Sequence, residues 1–350
     1  MAKNVFVGLS GGVDSALSAY LLKKAGYNVT GVFLKVWEPD FLPCTSGQDR
    51  LDAMRVAAHL SIPFLTYDLE EEYKQTVVDY FVGEYKEGRT PNPDVMCNRQ
   101  IKFGSFWEQA RADGADAIAT GHYAKIKHIQ ETNTWALFPG VDTAKDQSYF
   151  LWTLTQGDLE HVFFPIGAFH KNEVRTLAKK VSLPNASKKD SQGLCFLGHV
   201  DMHEFLMHYI PVRRGLVKTP DGVAVGEHDG VQFYTIDQRI PLQTSEKMYV
   251  VEKNIEENTL IVSNAIDRDT KGSVAYDLVS TNWIREEPRS GERYLAQIRY
   301  HADMLPITIS GARVCFEKPV LIAPGQSLVL FDSTSGECIG GGIIERNADC

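Results

Sequence analysis

The segment Gly8-Leu9-Ser10-Gly11-Gly12-Val13-Asp14-Ser15 constrains the fold more than any other part of this 350-residue chain. A short apolar run from Asn4 to Leu9 leads into it, and apolar residues at helical spacing follow from Val13 to Ala25. This pattern predicts a strand, a glycine-rich turn and a helix. The glycines let the turn fold tightly around an anion, and the helix aims its free N–H groups at the same point. We therefore expect a polyphosphate as the ligand.

The loop lacks the lysine that the Walker pattern GxxxxGK[ST] requires, so it predicts a different kind of phosphate site. Asp14 is better suited to a Mg²⁺ ion than to a phosphate, because magnesium prefers oxygen ligands such as carboxylates. The alternative interpretation is a glycine-rich turn that binds nothing.

Strands and helices alternate along the N-terminal part of the chain. The periodicity predicts strands at Asn28–Val36, Ile62–Tyr67 and Ala117–Thr120, and helices at Gln48–Leu60, Glu70–Tyr85 and Ile101–Ala112. This alternation is typical of an α/β fold with a doubly wound parallel sheet. Ligands of such sheets bind beyond the carboxyl ends of the strands, so the loops after Leu9, Val36, Tyr67 and Thr120 are expected to face one site.

Beyond about Gly198 the helical periodicity fades and short β-rich segments with turn dipeptides take over. Alternating strands such as Tyr294–Tyr300, Val314–Phe316 and Leu328–Phe331 follow, at a spacing that suits a compact barrel. We predict three domains: an α/β catalytic domain of residues 1–205, a small β-rich central domain of residues 206–274, and a C-terminal β-barrel-like domain of residues 275–350.

Composition excludes several classes of protein. No apolar run reaches the length of a membrane span, and no signal peptide is predicted before the first strand. The six cysteines form no CxxC pair, so neither a disulfide framework nor a structural metal site is expected. Without disulfides, we expect a cytoplasmic location. The net charge is −9, yet residues 171–218 carry nine Lys and Arg against four Asp and Glu. This stretch is either a solvated helix face or a patch for a nucleic-acid backbone.

Two cysteines lie in unusual surroundings. Arg89-Thr90-Pro91-Asn92-Pro93-Asp94-Val95-Met96-Cys97-Asn98 contains two prolines, which predict a stiff loop that presents Asp94 and Cys97. Cys195, within Lys189-Asp190-Ser191-Gln192-Gly193-Leu194-Cys195-Phe196, follows two lysines that would favour its thiolate if they lie close in space. The alternative for each is a small buried hydrophobic residue, which is the interpretation for Cys44, Cys315, Cys338 and Cys350.

The phosphate loop resembles that of the ATP-pyrophosphatase superfamily. Further motifs are Gly121-His122-Tyr123, Lys145-Asp146-Gln147-Ser148-Tyr149-Phe150-Leu151, Pro324-Gly325-Gln326 and Gly340-Gly341-Gly342-Ile343-Ile344-Glu345. Together with the two cysteine motifs, and in this order, they closely resemble the tRNA-specific 2-thiouridylases of the MnmA/TrmU family over essentially the whole chain. One segment departs from that family: Tyr234-Thr235-Ile236-Asp237-Gln238-Arg239-Ile240-Pro241-Leu242 stands where a Thr-x-Gly-Gln-Arg segment and a glycine-rich run are usual.

The resemblance implies a reaction and roles for residues. Gly8 to Ser15 would hold ATP, Leu34 and Gly121 would line the adenosine, and Asp14 would serve Mg²⁺. AMP would be attached to O2 of the wobble uridine in the tRNAs for Lys, Glu and Gln. Cys195 would accept sulfur as a persulfide from a donor protein, and Cys97 would act as the nucleophile, ending in a Cys97–Cys195 disulfide. Whether released sulfide or the persulfide itself attacks C2 stays open.

The family also implies a tRNA-binding surface. Its residues would be Asn92, Pro93, Asp94, His122, Lys145, Asp146, Gln147, Arg299, Tyr300 and Gln326. Asp94 would be a general acid or base, with an N-cap or turn role as its alternative. For His122 a structural hydrogen bond is the alternative. Two rival functions remain: an ATP-pyrophosphatase that forms amides with ammonia, and a nucleotide-binding protein without enzymatic activity.

Overall fold

Strands alternate with helices in the N-terminal part of the computed structural model. The structure describes residues 2–41, 46–189, 201–264 and 271–345. In chain order these elements are β1 (Asn4–Gly8), α1 (Val13–Lys24), β2 (Asn28–Lys35), α2 (Ser46–Leu60), β3 (Phe64–Asp68), α3 (Glu70–Tyr73), α4 (Asp79–Lys86), α5 (Pro93–Met96), α6 (Phe106–Ala112), β4 (Ala117–Ala119), β5 (Ala124–Ile129), β6 (Thr134–Pro139), α7 (Gln156–His161), β7 (Val162–Phe163), α8 (Lys171–Lys180) and α9 (Met202–Met207).

A parallel sheet organises this part of the molecule, with strand order β3-β2-β1-β4-β7. Along β1 the side chains alternate between its two faces, so Val5 and Val7 belong to one apolar core and Phe6 to the other. The predicted α/β fold with a doubly wound sheet is confirmed. Strands β2 and β3 lie on one side of β1, and β4 and β7 lie on the other side. The strand order therefore reverses between β1 and β4, which is the switch point of the sheet.

The helix that carries Cys97 begins earlier than predicted. Asn92 accepts hydrogen bonds from the N–H groups of Asp94 and Val95, and Pro93 occupies the first helical position, where its fixed φ and missing N–H cost nothing. The helix continues through a π-helical segment, Cys97–Ser105, into α6. The prediction of a stiff loop at Asp94 and Cys97 is therefore wrong, because the prolines start a helix there.

Two β structures follow. The central sheet has the order β10-β11-β12-β8-β9, with β8 (Gly215–Lys218), β9 (Ala224–His228), β10 (Arg239–Ile240), β11 (Met248–Asn254) and β12 (Thr259–Ser263). The C-terminal strands are β13 (Ser273–Trp283), β14 (Arg293–Gln297), β15 (Leu305–Ser310), β16 (Arg313–Val320), β17 (Ser327–Phe331) and β18 (Cys338–Ile344). They form an antiparallel sheet closed into a barrel by the pairing of β13 with β18.

The N-terminal part is joined to the barrel by the hairpin β5-β6. Leu137 of β6 pairs with Cys338 of β18, which extends the barrel sheet by two strands. The predicted division at residues 205 and 274 stays a prediction. Within the described ranges, no helix is both long and apolar enough to cross a membrane.

Candidate functional site

The phosphate loop joins the end of β1 to the start of α1 and folds around two hydroxyl groups. The Ser15 hydroxyl accepts the Ser10 N–H at 3.2 Å and donates to the Gly12 carbonyl at 3.2 Å. The Ser10 and Ser15 hydroxyls lie 3.3 Å apart. These bonds fix the loop so that the N–H groups of the first turn of α1 remain available for an anion.

Two glycines allow the backbone to come close to this loop. Gly11 has φ +75°, and a Cβ there would lie 2.5 Å from the carbonyl oxygen of Asp49. Gly121, just after β4, would place a Cβ 2.8 Å from the Ser15 nitrogen. The structure therefore brings Gly121 against the phosphate loop, where a larger residue would push the two apart; its role in lining the adenosine stays a prediction.

Leu34 and Ser10 line the same cleft, at the carboxyl ends of β1 and β2. Its other lining residues are Phe33, Val36, Glu38, Ser46 and Asp49. The Ser46 hydroxyl donates to the Glu38 carboxylate at 3.0 Å, which fixes one wall. An apolar wall beside a phosphate loop suits a nucleoside. That Leu34 lines the adenosine stays a prediction.

Asp14 has a partner that the sequence analysis missed. The ammonium of Lys171, at the start of α8, lies 2.7 and 2.9 Å from the two carboxylate oxygens, and the Tyr123 hydroxyl donates to one of them at 2.8 Å. Asp14 thus already has a cationic partner, an arrangement that does not favour Mg²⁺ on this carboxylate. Among the described residues, no three His, Cys, Asp or Glu side chains cluster as a metal site.

Lys188 also pairs with carboxylates beside the cleft. Its ammonium lies 2.7 Å from both Asp49 and Asp52 of α2. The sequence predicted that Lys188 and Lys189 would favour the thiolate of Cys195 if they lie close to it, and this stays a prediction; in the structure two aspartates neutralise the charge of Lys188. Cys195 itself lies outside the described residues, as do Cys44 and Cys350.

Two adjacent residues after β4 connect the phosphate loop to the helix that carries Cys97, residues 93–112, called the cysteine helix below. Gly121 touches the loop, and the next residue, His122, packs its ring 5.8 Å from that of Phe103 in the π-helical segment. His122 is buried and its Nδ1 lies 2.7 Å from the Thr120 hydroxyl. Burial, with a smaller contribution from Lys102, holds the pKa of His122 well below its ordinary value. The structural hydrogen bond is present; a contact with tRNA stays a prediction.

Asp94 and Cys97 lie one helical turn apart, on the same side of the helix. Cys97 is fully buried and Asp94 is half-buried. The alternative of Asp94 as the N-cap is wrong, because Asn92 holds that position.

Cys338 is buried, as predicted, and its burial raises the pKa of its thiol. Cys315 does not fit. It is exposed, since it points outward between the buried Val314 and Phe316 of β16.

Both β domains contact Thr90, which lies two residues before the N-cap Asn92 of the helix that carries Cys97. The Thr90 N–H donates to the Pro324 carbonyl at 2.8 Å, and the Gln326 amide donates to the Thr90 carbonyl at 2.7 Å. The Thr90 hydroxyl donates to that of Thr235 in the central domain at 3.3 Å. Gln326, predicted to contact tRNA, thus positions the start of this helix; the sequence offered no signal for that role.

The Lys145 to Gln147 motif packs beside Tyr123. Gln147 donates its N–H to the Tyr123 carbonyl at 2.9 Å, and its side-chain oxygen accepts the Tyr123 N–H at 3.0 Å. Asp146 accepts the Gly140 N–H at 2.9 Å and the Ser148 hydroxyl at 2.7 Å. Lys145 is half-buried. These bonds order the loop next to the tyrosine that contacts Asp14.

Arg299 and Tyr300 follow β14. The Tyr300 ring lies 4.5 Å from Phe150, and burial, followed by the charges of Asp146 and Asp94, raises its pKa to about 12. Arg299 is paired with Asp237 of the central domain at 3.0 Å. Of the predicted tRNA-contact residues, Asp146 and Asp94 thus lie near Tyr300, and β14 ends at Gln297 and not at Tyr300 as predicted.

Family models match almost the whole chain. A model described as a tRNA methyl transferase HUP domain matches residues 3–199, a tRNA methyl transferase PRC-barrel domain matches residues 203–264, and an aminomethyltransferase beta-barrel domain matches residues 276–344.

Curated relatives match over similar lengths. The tRNA-specific 2-thiouridylase MnmA 2 of Geobacillus kaustophilus is 42% identical, covering 98% of this chain and 94% of that protein. The tRNA-specific 2-thiouridylase MnmA of Listeria monocytogenes is 44% identical, and the match covers 97% of this chain and 94% of the Listeria protein. That of Lysinibacillus sphaericus is 42% identical, covering 98% and 94%.

Proposed function

Since the chain belongs to the MnmA family of tRNA-specific 2-thiouridylases, we propose that it replaces the C2 oxygen of the wobble uridine of tRNA with sulfur. It is then an ATP-dependent tRNA sulfurtransferase of the cytoplasm, acting on the tRNAs for Lys, Glu and Gln. The observation that carries this proposal is the link through Gly121 and His122, which joins a phosphate loop to the helix of Asp94 and Cys97. Activation and sulfur transfer require those two parts to share one site.

Residues Gly8 to Ser15 bind the polyphosphate of ATP, with the adenosine in the cleft of Leu34 and Gly121 beside it. The N–H groups at the start of α1 and the Lys171 ammonium face the charge that develops when pyrophosphate leaves. Mg²⁺–ATP is the form we propose. A bound Mg²⁺ supplies further neutralisation of the polyphosphate, and no step is assigned to an ion on Asp14.

The activation step forms a bond between O2 of the uracil and the α-phosphate and breaks the bond to pyrophosphate. C2 becomes electrophilic, because its oxygen now leaves with AMP. Asp94 stands in the first turn of the helix as the proposed general acid or base for the uracil.

Sulfur reaches C2 through the two cysteines. A donor protein leaves a persulfide on Cys195, and attack by the Cys97 thiolate on its inner sulfur forms a disulfide and releases sulfide toward C2. In the other branch the persulfide attacks C2 and Cys97 resolves the product. Either branch ends with a disulfide that a reductant must cleave. Because Cys97 is fully buried, this chemistry also requires local opening around it.

Residues Asn92 to Asp94, His122, Lys145 to Gln147, Arg299, Tyr300 and Gln326 form the proposed surface for the anticodon loop. The target base must leave its stack to reach the site. The domain boundaries at residues 205 and 274 belong to this proposal, with RNA bound between the α/β domain and the two β domains.

The test is pyrophosphate release from ATP with unmodified tRNA, measured for the wild type and for Cys97→Ser. Both proteins should release pyrophosphate only when tRNA is present, because activation needs the phosphate loop and no thiol. An amide-forming synthetase would instead respond to a small acid and ammonia. A nucleotide-binding protein without activity would release nothing.

A further inference from the structure

An ion pair between the two β domains occupies a residue of the proposed RNA surface. The Arg299 guanidinium lies 3.0 Å from the Asp237 carboxylate. The arginine side chain is 62% exposed, whereas that of the aspartate is only 16% exposed. The carboxylate is therefore the fixed partner and the guanidinium is the one that can leave.

The backbone at Asp237 is unusual for a residue with a side chain. Its φ is +72°, a conformation that glycine adopts freely and that costs other residues free energy. The turn is held firmly, since the Asp237 N–H donates to the Val250 carbonyl at 2.8 Å and the Val250 N–H donates to Gln238 at 2.9 Å. A carboxylate kept at such a position, aimed at an arginine of another domain, indicates a role for the side chain.

We propose that Asp237 competes with the phosphate groups of RNA for Arg299, so that it lowers the affinity of the free protein for tRNA. The inference rests on the proposed function. Binding breaks one arginine–carboxylate pair and forms one arginine–phosphate pair, which leaves the Asp237 carboxylate to be hydrated. The exchange adds little net release of counterions, because the arginine was already paired.

This competition has consequences beyond Arg299. Thr235, two residues before Asp237, contacts Thr90, and Gln326 of the barrel contacts Thr90 as well. The ion pair therefore closes a ring of contacts around the start of the cysteine helix. Opening the pair on RNA binding loosens one side of that ring, at the residues that position Asp94 and Cys97.

The experiment measures tRNA affinity against salt concentration for Asp237→Asn and Asp237→Gly, each alone and combined with Arg299→Gln. Asn and Gly both tolerate a positive φ, so folding is preserved. Each single variant should bind tRNA more tightly, by up to about fivefold, the upper end of what one surface ion pair contributes. The plot of log affinity against log salt should steepen by about one phosphate contact. With Arg299→Gln, the substitution at Asp237 should change the affinity little.

The matched control is Asp277→Asn, which removes the carboxylate that Arg313 contacts at 2.8 and 2.9 Å elsewhere in the barrel. It should leave the affinity unchanged. Unaltered or weaker binding by both Asp237 variants overturns the competition, as does an equal gain in the Arg299→Gln background. Failure of the wild type to bind tRNA at all would instead refute the proposed function.

Discussion

The ammonium of Lys171 lies 2.7 Å from the carboxylate of Asp14, although 157 positions separate the two residues in the chain. The lysine side chain is only 12% exposed. A polyphosphate bound at the loop would compete with the Asp14 carboxylate for this ammonium. The pair gives the loop the cation that its sequence lacks.

Replacing Lys171 by Met should raise the KM for ATP about tenfold to a hundredfold, the loss expected for a hydrogen bond to a charged group. Lys179→Met is the control, because Lys179 is exposed near the other end of α8. Pyrophosphate release against ATP concentration measures both. Wild-type ATP kinetics for Lys171→Met would remove this residue from the nucleotide site.

Gly11→Ala should abolish tRNA-dependent ATP consumption, whereas Gly26→Ala should preserve it. Both glycines have positive φ, +75° and +90°, so each substitution should cost about 1 kcal/mol of unfolding free energy from backbone strain. Only at Gly11 would the new Cβ meet a carbonyl oxygen at 2.5 Å. Thermal unfolding and pyrophosphate release separate the two effects. Equal activity of the two variants would mean that the loop does not hold ATP.

His122 should make the protein less stable in acid. Its folded pKa lies well below the ordinary 6.5, so below pH 6.5 the unfolded state binds a proton that the folded state does not. The free energy of unfolding therefore falls as the pH drops below that value, and His122 adds no pH dependence well above it.

His122→Gln should remove this part of the slope. Urea unfolding at about pH 7.5 and about pH 5.5 measures it. The exposed His59, replaced in the same way, is the control. An unchanged pH dependence in His122→Gln would contradict a neutral buried imidazole.

Cys97 should react with an alkylating reagent far more slowly than Cys315 in the free protein, because Cys97 is fully buried and Cys315 is exposed. Peptide mapping after timed alkylation measures the extent of labelling of both thiols in one sample, so Cys315 serves as the internal control. Adding tRNA with a non-hydrolysable ATP analogue should speed alkylation of Cys97 and leave that of Cys315 unchanged, because sulfur transfer requires local opening around Cys97. Rapid labelling of Cys97 without tRNA would contradict the burial of its thiol in the free protein.

Local patterns were enough to predict the sheet and its loop. The apolar run before Gly8 and the helical spacing after Val13 fix a strand, a turn and a helix, and these carry the fold class. The roles of Gly121 and Leu34 at the adenosine came instead from the family resemblance and stay predictions, although Leu34 lies near the end of β2 and Gly121 just after β4 in the same parallel sheet.

Contacts between distant residues could not be predicted in the same way. The Lys171–Asp14 pair and the bond from Gln326 to Thr90 depend on how separate elements pack, which periodicity does not encode. The prediction of a loop near Cys97 was wrong for a different reason. Proline is common both in loops and at the first position of a helix, and only the N-cap by Asn92 shows that Pro93 starts a helix.

Transfer of sulfur to tRNA is the central claim, and nucleoside analysis tests it most directly. Unmodified tRNA is incubated with the protein, Mg²⁺–ATP, sulfide and a reductant, then digested and analysed by mass. The account predicts tRNA with 2-thiouridine at the wobble position, formed only when ATP is present. Consumption of ATP without any 2-thiouridine, or a methylated uridine in its place, would contradict it.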